Sequence, residues 1–163
     1  MNFTKISSVA IFALFLMVLF SGWLHASSFT GKLVKVIDGD TVEVMHDGKA
    51  ERVRLAQIDA PESSQPFGQA AKRYVLEVAA LRVVRVEVET IDRYGRTVGE
   101  VFLLPDETNL NQDIVAAGYA WQYKRYSTDP AYANLEAEAR SARRGLWEDK
   151  RPIPPWEWRR MKR

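Results

Sequence analysis

The stretch from Ile37 to Glu62 gathers the side chains of this chain best suited to chemistry. It holds Asp38-Gly39-Asp40-Thr41-Val42 and, after a hairpin-like return, Val53-Arg54-Leu55-Ala56-Gln57-Ile58-Asp59-Ala60-Pro61-Glu62. Asp40, Asp59 and Glu62 folded together would repel one another unless a cation sat among them. Arg54 lies between them in sequence, and the planar fork of an arginine grips a phosphate through two parallel hydrogen bonds. A cation, a phosphate grip and a spare carboxylate are the parts that hydrolysis of a phosphodiester requires.

Each part has a plainer reading when taken alone. Asp40 and Asp59 follow or end β-like runs, where side chains leave a sheet and can meet at its rim. Two carboxylates, a main-chain carbonyl and water satisfy Ca²⁺, which takes about six to eight oxygens at roughly 2.3–2.6 Å. The spacing is not that of an EF-hand loop, and Asp38-Gly39-Asp40 also reads as a simple turn, with Asp38 as turn chemistry. Glu62 is aimed by the fixed backbone of Pro61, which suits a general base drawing a proton from water; a lone loop glutamate is usually just solvated. Arg54, on a half-buried strand, needs a partner: a carboxylate across the sheet or a substrate phosphate. Arg96 closes the turn Asp92-Arg93-Tyr94-Gly95-Arg96, where a solvated charge is the bland alternative. Two guanidiniums on one phosphate would stabilise the charge that builds on its oxygens.

Composition narrows the chemistry further. The chain has 163 residues, 47% apolar and 27% charged, with a net charge of +2 and no cysteine. That is globular composition for one domain with a real core, and overall charge argues little for nucleic acid. Disulfides, thiolate nucleophiles and zinc–thiolate sites are excluded. Of the two histidines, His25 and His46, the first lies in the leader, so a histidine-rich metal site is excluded too. Any metal is then a hard ion held by oxygens.

The elements that must position these groups follow from periodicity and turns. Phe29 to Ile37, Thr41 to Met45 and Glu51 to Ile58 read as three strands in meander order, the Asp47-Gly48 pair turning the second into the third. A helix is expected over Gln69 to Leu81, with Tyr74, Val75, Val78 and Leu81 at helical spacing. Arg82 to Thr90 alternates strictly, and Thr97 to Leu104 makes a fifth strand. A second helix, capped by Asn109 or Asn111, runs to Ala117 with Gly118 as its stop. A third opens at Asp129-Pro130 and ends at Gly145 after Arg143 and Arg144. The expected fold class is α+β, mainly β: a five-stranded Greek-key barrel of OB type with three helices. Periodicity alone supports a five-stranded meander, and closure of the barrel is inferred.

Residues 1–26 read as a targeting segment, with Lys5, an apolar run from Val9 to Phe20 and Ala26 before Ser27. This predicts export, either as a cleaved signal peptide or as an uncleaved membrane anchor. Residues 27–150 form the catalytic candidate, and 151–163 a tail rich in Pro, Trp and Arg. The tail segment Pro152-Ile153-Pro154-Pro155-Trp156-Glu157-Trp158 is expected to lie back over the barrel and bury its indoles, rather than reach for nucleic acid with Arg159 and Arg160. Trp121, Tyr123, Lys124, Arg125 and Tyr126 interleave aromatic and basic side chains, which fits either a single-strand surface or core packing with a basic edge.

Asp38-Gly39-Asp40-Thr41-Val42, Arg54-Leu55 with Asp59-Ala60-Pro61-Glu62, and Asp92-Arg93-Tyr94-Gly95-Arg96 together resemble the thermonuclease family, the staphylococcal nuclease-like proteins, from about Gly31 to Trp147. The resemblance implies an OB-fold barrel and Ca²⁺-dependent hydrolysis of DNA and RNA, leaving 3′-phosphate ends. It implies that Asp40, Asp59 and the main-chain carbonyl of Ala60 bind calcium, that Glu62 is the general base, and that Arg54 and Arg96 clamp the phosphate. Arg93 and Tyr94 would hold the neighbouring phosphate, and Tyr123 and Tyr126 would stack on a base. Ala60 replaces a frequent threonine, and the loop after Glu62 lacks a lysine run. The expectation is thus an exported, monomeric nuclease without sequence specificity. It would prefer single strands, need no obligate protein partner, and touch a membrane only through an uncleaved leader. The rival from another class is a non-catalytic OB-fold module binding nucleic acid or peptide, and a weaker third is a structural cell-envelope protein held by its leader.

Overall fold

The computed structural model describes residues 27–162, so the leader expected over 1–26 lies outside the described residues. The chain runs as β1 (Ser28–Asp38), β2 (Thr41–His46), β3 (Lys49–Leu55), β4 (Ile58–Asp59) and α1 (Gly68–Ala79). It continues through β5 (Val83–Ile91), β6 (Thr97–Leu103), β7 (Thr108–Asn109), α2 (Leu110–Ala116), β8 (Trp121–Gln122) and α3 (Pro130–Ser141). A 3₁₀ turn over Gly145–Glu148 and a last helix, α4 (Pro155–Met161), complete it.

The strands lie in the order β3-β2-β1-β5-β6, antiparallel throughout, and a parallel pairing of β3 with β6 shuts the ring. That seam is short: Val53 faces Thr97, Arg54 faces Val98 and Leu55 faces Gly99. Five strands therefore form a closed mixed barrel of the expected OB type, and closure leaves no open edge among them. Alternation decides the filling. Leu33, Val42, Val44, Val53, Val84 and Val86 are all fully buried inside it. The helix α1 covers the barrel through Ala71, Val75 and Ala79, and α2 through Leu110 and Ile114.

Local chemistry sets the element ends. The Asn109 carboxamide caps α2, accepting from the Gln112 amide at 3.1 Å, and Asp129 caps α3 by accepting from Ala131 at 2.8 Å. Several boundaries differ from expectation, among them the end of α1, which stops at Ala79 and leaves Leu81, expected on its apolar stripe, exposed with φ 63°. The third strand stops at Leu55, because Gln57 sits in the left-handed region (φ 68°) and turns the chain before Ile58. The third helix ends at Ser141 rather than at Gly145, since Arg143 already has φ 52°. The tail forms a fourth helix: Pro155 takes the first helical position, where its missing amide costs nothing.

A second apolar cluster lies outside the barrel. Trp121, Ala139, Leu146 and Trp147 form it, with Phe67 and Trp156 packed on its edge. Trp121 is thus a core residue, and the tail does lie back over the domain. Trp156 meets Trp121 edge-on at 6.4 Å and stacks on Tyr123 at 5.7 Å with 7° between the rings.

Candidate active site

The turn between β1 and β2 presents Asp40. Asp38 is the turn residue expected of it, its carboxylate accepting the Asp40 amide at 3.2 Å. Gly39 lets this turn nestle against its neighbours: a Cβ there would lie 2.7 Å from the Cβ of Ala71 and 2.9 Å from that of Ala60. The Asp40 carboxylate is fixed from both ends, accepting the Thr41 hydroxyl at 3.1 Å and the Ala60 amide at 2.8 Å. Asp59 comes from β4, which is held by β8 through the pairing of Asp59 with Trp121.

Arg54 joins the two acids. Its Nη2 lies 3.0 Å from Asp40 Oδ2 and 3.2 Å from Asp59 Oδ1, while Nη1 donates to the Leu55 carbonyl at 2.5 Å. Asp40 and Asp59 are 7% and 1% exposed. Residues 19 places apart in sequence therefore meet at one guanidinium nitrogen in a nearly dry setting. Burial pushes the Asp59 carboxyl above its ordinary value, and the charge of Asp40 adds to this, although Arg159 and Arg54 hold it down. Asp38 is pushed up to about 6, by burial first and then by the charge of Asp40.

This donor set fits a hard divalent cation. The carboxylates are buried and adjacent, and burial with mutual repulsion raises the Asp59 pKa despite its two guanidiniums, a penalty that a divalent ion relieves. Among the described residues no group of three or more His, Cys, Asp or Glu side chains closes on one point. An ion bound to Asp40 and Asp59 would therefore complete its shell with main-chain oxygen and water, and the Ala60 carbonyl, next in the chain to Asp59, is the expected main-chain donor. Nothing here suits a soft or tetrahedral thiolate-held metal.

Arg96 is placed differently. It precedes Thr97, which pairs with Val53 beside Arg54, so its backbone stands next to the site. Its guanidinium, however, is bound to Asp92 through Nε and Nη2, both at 2.8 Å. Among the described residues no hydrogen bond or ion pair links Arg96 to Asp40, Asp59 or Glu62. Burial opposes ionisation of Asp92, yet the Arg96 amide and side chain and the Tyr94 amide outweigh it and hold the carboxyl below its usual value. Tyr94 is 69% exposed, its hydroxyl accepting from Arg93 at 2.7 Å.

Comparison with known proteins identifies the family. The sequence profile described as "Staphylococcal nuclease homologue" matches residues 52–149. A protein of Escherichia coli O157:H7 called an uncharacterized endonuclease is 45% identical over 144 residues, covering 88% of this chain and 94% of that one. A micrococcal nuclease of Shigella flexneri is 41% identical over 143 residues, covering 82% of each chain. An uncharacterized endonuclease of Haemophilus influenzae is 42% identical over 135 residues, covering 82% of this chain and 75% of its own.

The chain belongs to the staphylococcal nuclease family. It is thereby a nuclease, a hydrolase of phosphodiester bonds. The profile match ends before the tail, and the tail holds the residue that sequence reasoning missed. From α4, Arg159 places Nη2 2.6 Å from Asp59 Oδ2 and Nη1 2.7 Å from Glu62 Oε1. Burial alone would lower the Arg159 pKa, but its bonds to Asp59 and Glu62 raise it above the ordinary arginine value. Among the described residues no hydrogen bond or ion pair links Glu62 to Asp40 or Arg54 in this nuclease; it joins them through Arg159 and Asp59. No spacing in the sequence marks Arg159, which lies 100 positions after Asp59. An open cleft of about 260 Å³ beside Glu62 is lined by Ser64, Trp158, Arg159 and Lys162. Trp156 covers one face of Tyr123, leaving Tyr126, at 66% exposure, as the accessible ring of that pair.

Proposed function

We propose that this nuclease depends on calcium, hydrolyses DNA and RNA without reading sequence, and leaves 3′-phosphate ends. The observation that supports this best is the convergence of Asp40 and Asp59 on Arg54 in a buried corner at the barrel's rim. The carboxylates of Asp40 and Asp59, with the Ala60 carbonyl, would hold the ion. Bound there, a dication supplies charge neutralisation to a phosphate oxygen. Arg54 would hold the same phosphate, and Glu62 would take the proton from the attacking water. Arg96 adds a second guanidinium by leaving Asp92 when a phosphate arrives. Arg93 and Tyr94, on the exposed turn, take the adjoining phosphate, and Tyr126 offers a ring to a base. Contacts of this kind grip the backbone, which carries no sequence information. A site on a barrel rim favours single strands and frayed ends over a stiff duplex. The nuclease acts as a monomer and is exported.

The test is incubation of plasmid and of a single-stranded oligonucleotide with Ca²⁺, then with a chelator. Cleavage that stops on chelation, with products that a polymerase extends only after phosphatase treatment, is expected. Cleavage indifferent to chelation would overturn the calcium dependence. A gel shift without any cleavage would favour the non-catalytic binding module.

A further inference from the structure

The tail is tied to the loop that carries Glu62 at three points. The Gln65 side chain donates to the Ile153 carbonyl at 2.6 Å, Arg159 donates to Glu62 at 2.7 Å, and Lys162 donates to the Ser64 hydroxyl at 2.8 Å. The loop's own contacts hold its backbone: the Glu62 amide donates to Gln65 Oε1 at 3.2 Å, the Gln65 amide to the Glu62 carbonyl at 2.8 Å, and Gln69 to the Ser63 carbonyl at 2.9 Å, whereas the Glu62 carboxylate is bonded, among the described residues, by Arg159. On its other side α4 is anchored by Trp156 against Trp121 and Tyr123. A rigid aromatic footing therefore ends in a guanidinium that spans Asp59 and Glu62.

We propose that Arg159 is a positioning residue of the active site, fixing the carboxylate of Glu62 relative to Asp59, so that the C-terminal helix is a working part of this nuclease. The inference rests on Glu62 being the general base. An exposed glutamate on a loop samples many rotamers, and an ångström of misplacement in a base is costly to the rate. The planar fork of Arg159 removes that freedom: Nη1 reaches Glu62 Oε1 at 2.7 Å and Asp59 Oδ1 at 3.3 Å, and Nη2 reaches Asp59 Oδ2 at 2.6 Å. Glu62 Oε2 receives no hydrogen bond from any described residue and is left to take a proton. A carboxylate has about four lone-pair positions. Asp59 spends three, one on Arg54 and two on Arg159, so Arg159 does not bar it from also binding an ion.

The test is a double-mutant cycle of R159Q and E62Q, with kcat and KM measured on a single-stranded oligonucleotide in Ca²⁺, alongside calcium affinity by calorimetry and the melting temperature. R159Q is expected to lower kcat by about tenfold or more, with KM and calcium affinity within about threefold of wild type. In the E62Q background R159Q should change kcat by less than about threefold, because it acts through Glu62. R159K, which keeps the charge but cannot span both carboxylates, should fall between R159Q and wild type. It also carries the cycle should R159Q melt far below wild type. Additive losses in the double variant, an unchanged kcat in R159Q, or a markedly tighter calcium ion there would each overturn the proposal. Normal turnover by E62Q alone would instead remove the base itself, and the two failures are told apart by that single variant.

Discussion

Asp59 is the residue on which charge is most concentrated: a nearly buried carboxylate that faces another carboxylate and two guanidiniums. Removing one partner from such a set leaves the others uncompensated, so substitutions here should act far more strongly than at the exposed Arg93. Arg54 shows why charge alone is insufficient. One of its nitrogens serves Asp40 and Asp59 and the other the Leu55 carbonyl, a task for a fork and not for a point charge. Arg54→Lys should therefore lower kcat/KM by about 10² or more while the protein stays folded. Steady-state rates on an oligonucleotide, with circular dichroism as the folding control, check this. Arg96 makes a contrasting case, because its resting partner is Asp92. Asp92→Asn should loosen the 92–96 turn. The lowered pKa of Asp92 means that its contribution to stability is present above the ordinary aspartate pKa and is lost as pH falls through the folded value. The wild type should therefore lose more stability than Asp92→Asn on acidification below about pH 4, a difference that melting curves across pH would reveal.

At the level of elements, the site is made by the closing of the barrel. The parallel seam of Arg54 with Val98 brings the turn ending at Arg96 beside the strand that carries Arg54. One buried side chain pins that seam. Asn111 accepts the Val101 amide at 3.1 Å and donates to the carbonyls of Ala56 at 3.0 Å and Gly99 at 3.1 Å, binding α2 to both strands. Asn111→Ala would leave the Ala56 carbonyl and the Val101 amide without their Asn111 partner in a buried setting, while Gly99 keeps the Ala56 amide, at a cost of about 1–3 kcal/mol. The midpoint of urea unfolding should fall accordingly, with an unchanged m-value. The short pairing of β4 with β8 does for Asp59 what the seam does for Arg54. Because β8 also carries Trp121, the barrel, the outer aromatic cluster and α4 are mechanically joined at Asp59.

For the molecule as a whole, the chain has no disulfide, and its stability comes from one valine-rich barrel and a smaller tryptophan cluster. Crowded acids at the rim work against that core. Calcium binding to the folded state alone should therefore raise the melting temperature. A concentration a hundredfold above Kd adds about 2.7 kcal/mol, which a chelator should abolish. Asp59→Asn should melt at a temperature independent of calcium; a calcium-dependent melt in that variant would place the ion elsewhere. Calorimetric scans with and without chelator distinguish the two. The net charge of +2 is too small to carry affinity for a polyanion. Binding of nucleic acid must come from local cations, and the slope of log affinity against log salt should correspond to only a few phosphate contacts.

The amino-acid sequence by itself determined the barrel strands, the helix cap at Asp129, the choice of Asn109 or Asn111 as the other cap, the exclusion of thiolate and histidine metal chemistry, and the grouping of Asp40, Arg54 and Asp59. All of these are written in periodicity, turn chemistry or nearness along the chain, which are local properties. Tertiary structure alone decided that Arg96 rests on Asp92, that Trp156 covers Tyr123, and that Arg159 spans Asp59 and Glu62. The last two contacts depend on how a tail beyond the barrel folds back across it, the first on which of several acids a turn arginine meets once folded, and no repeat or spacing records the distance between groups that only packing brings together.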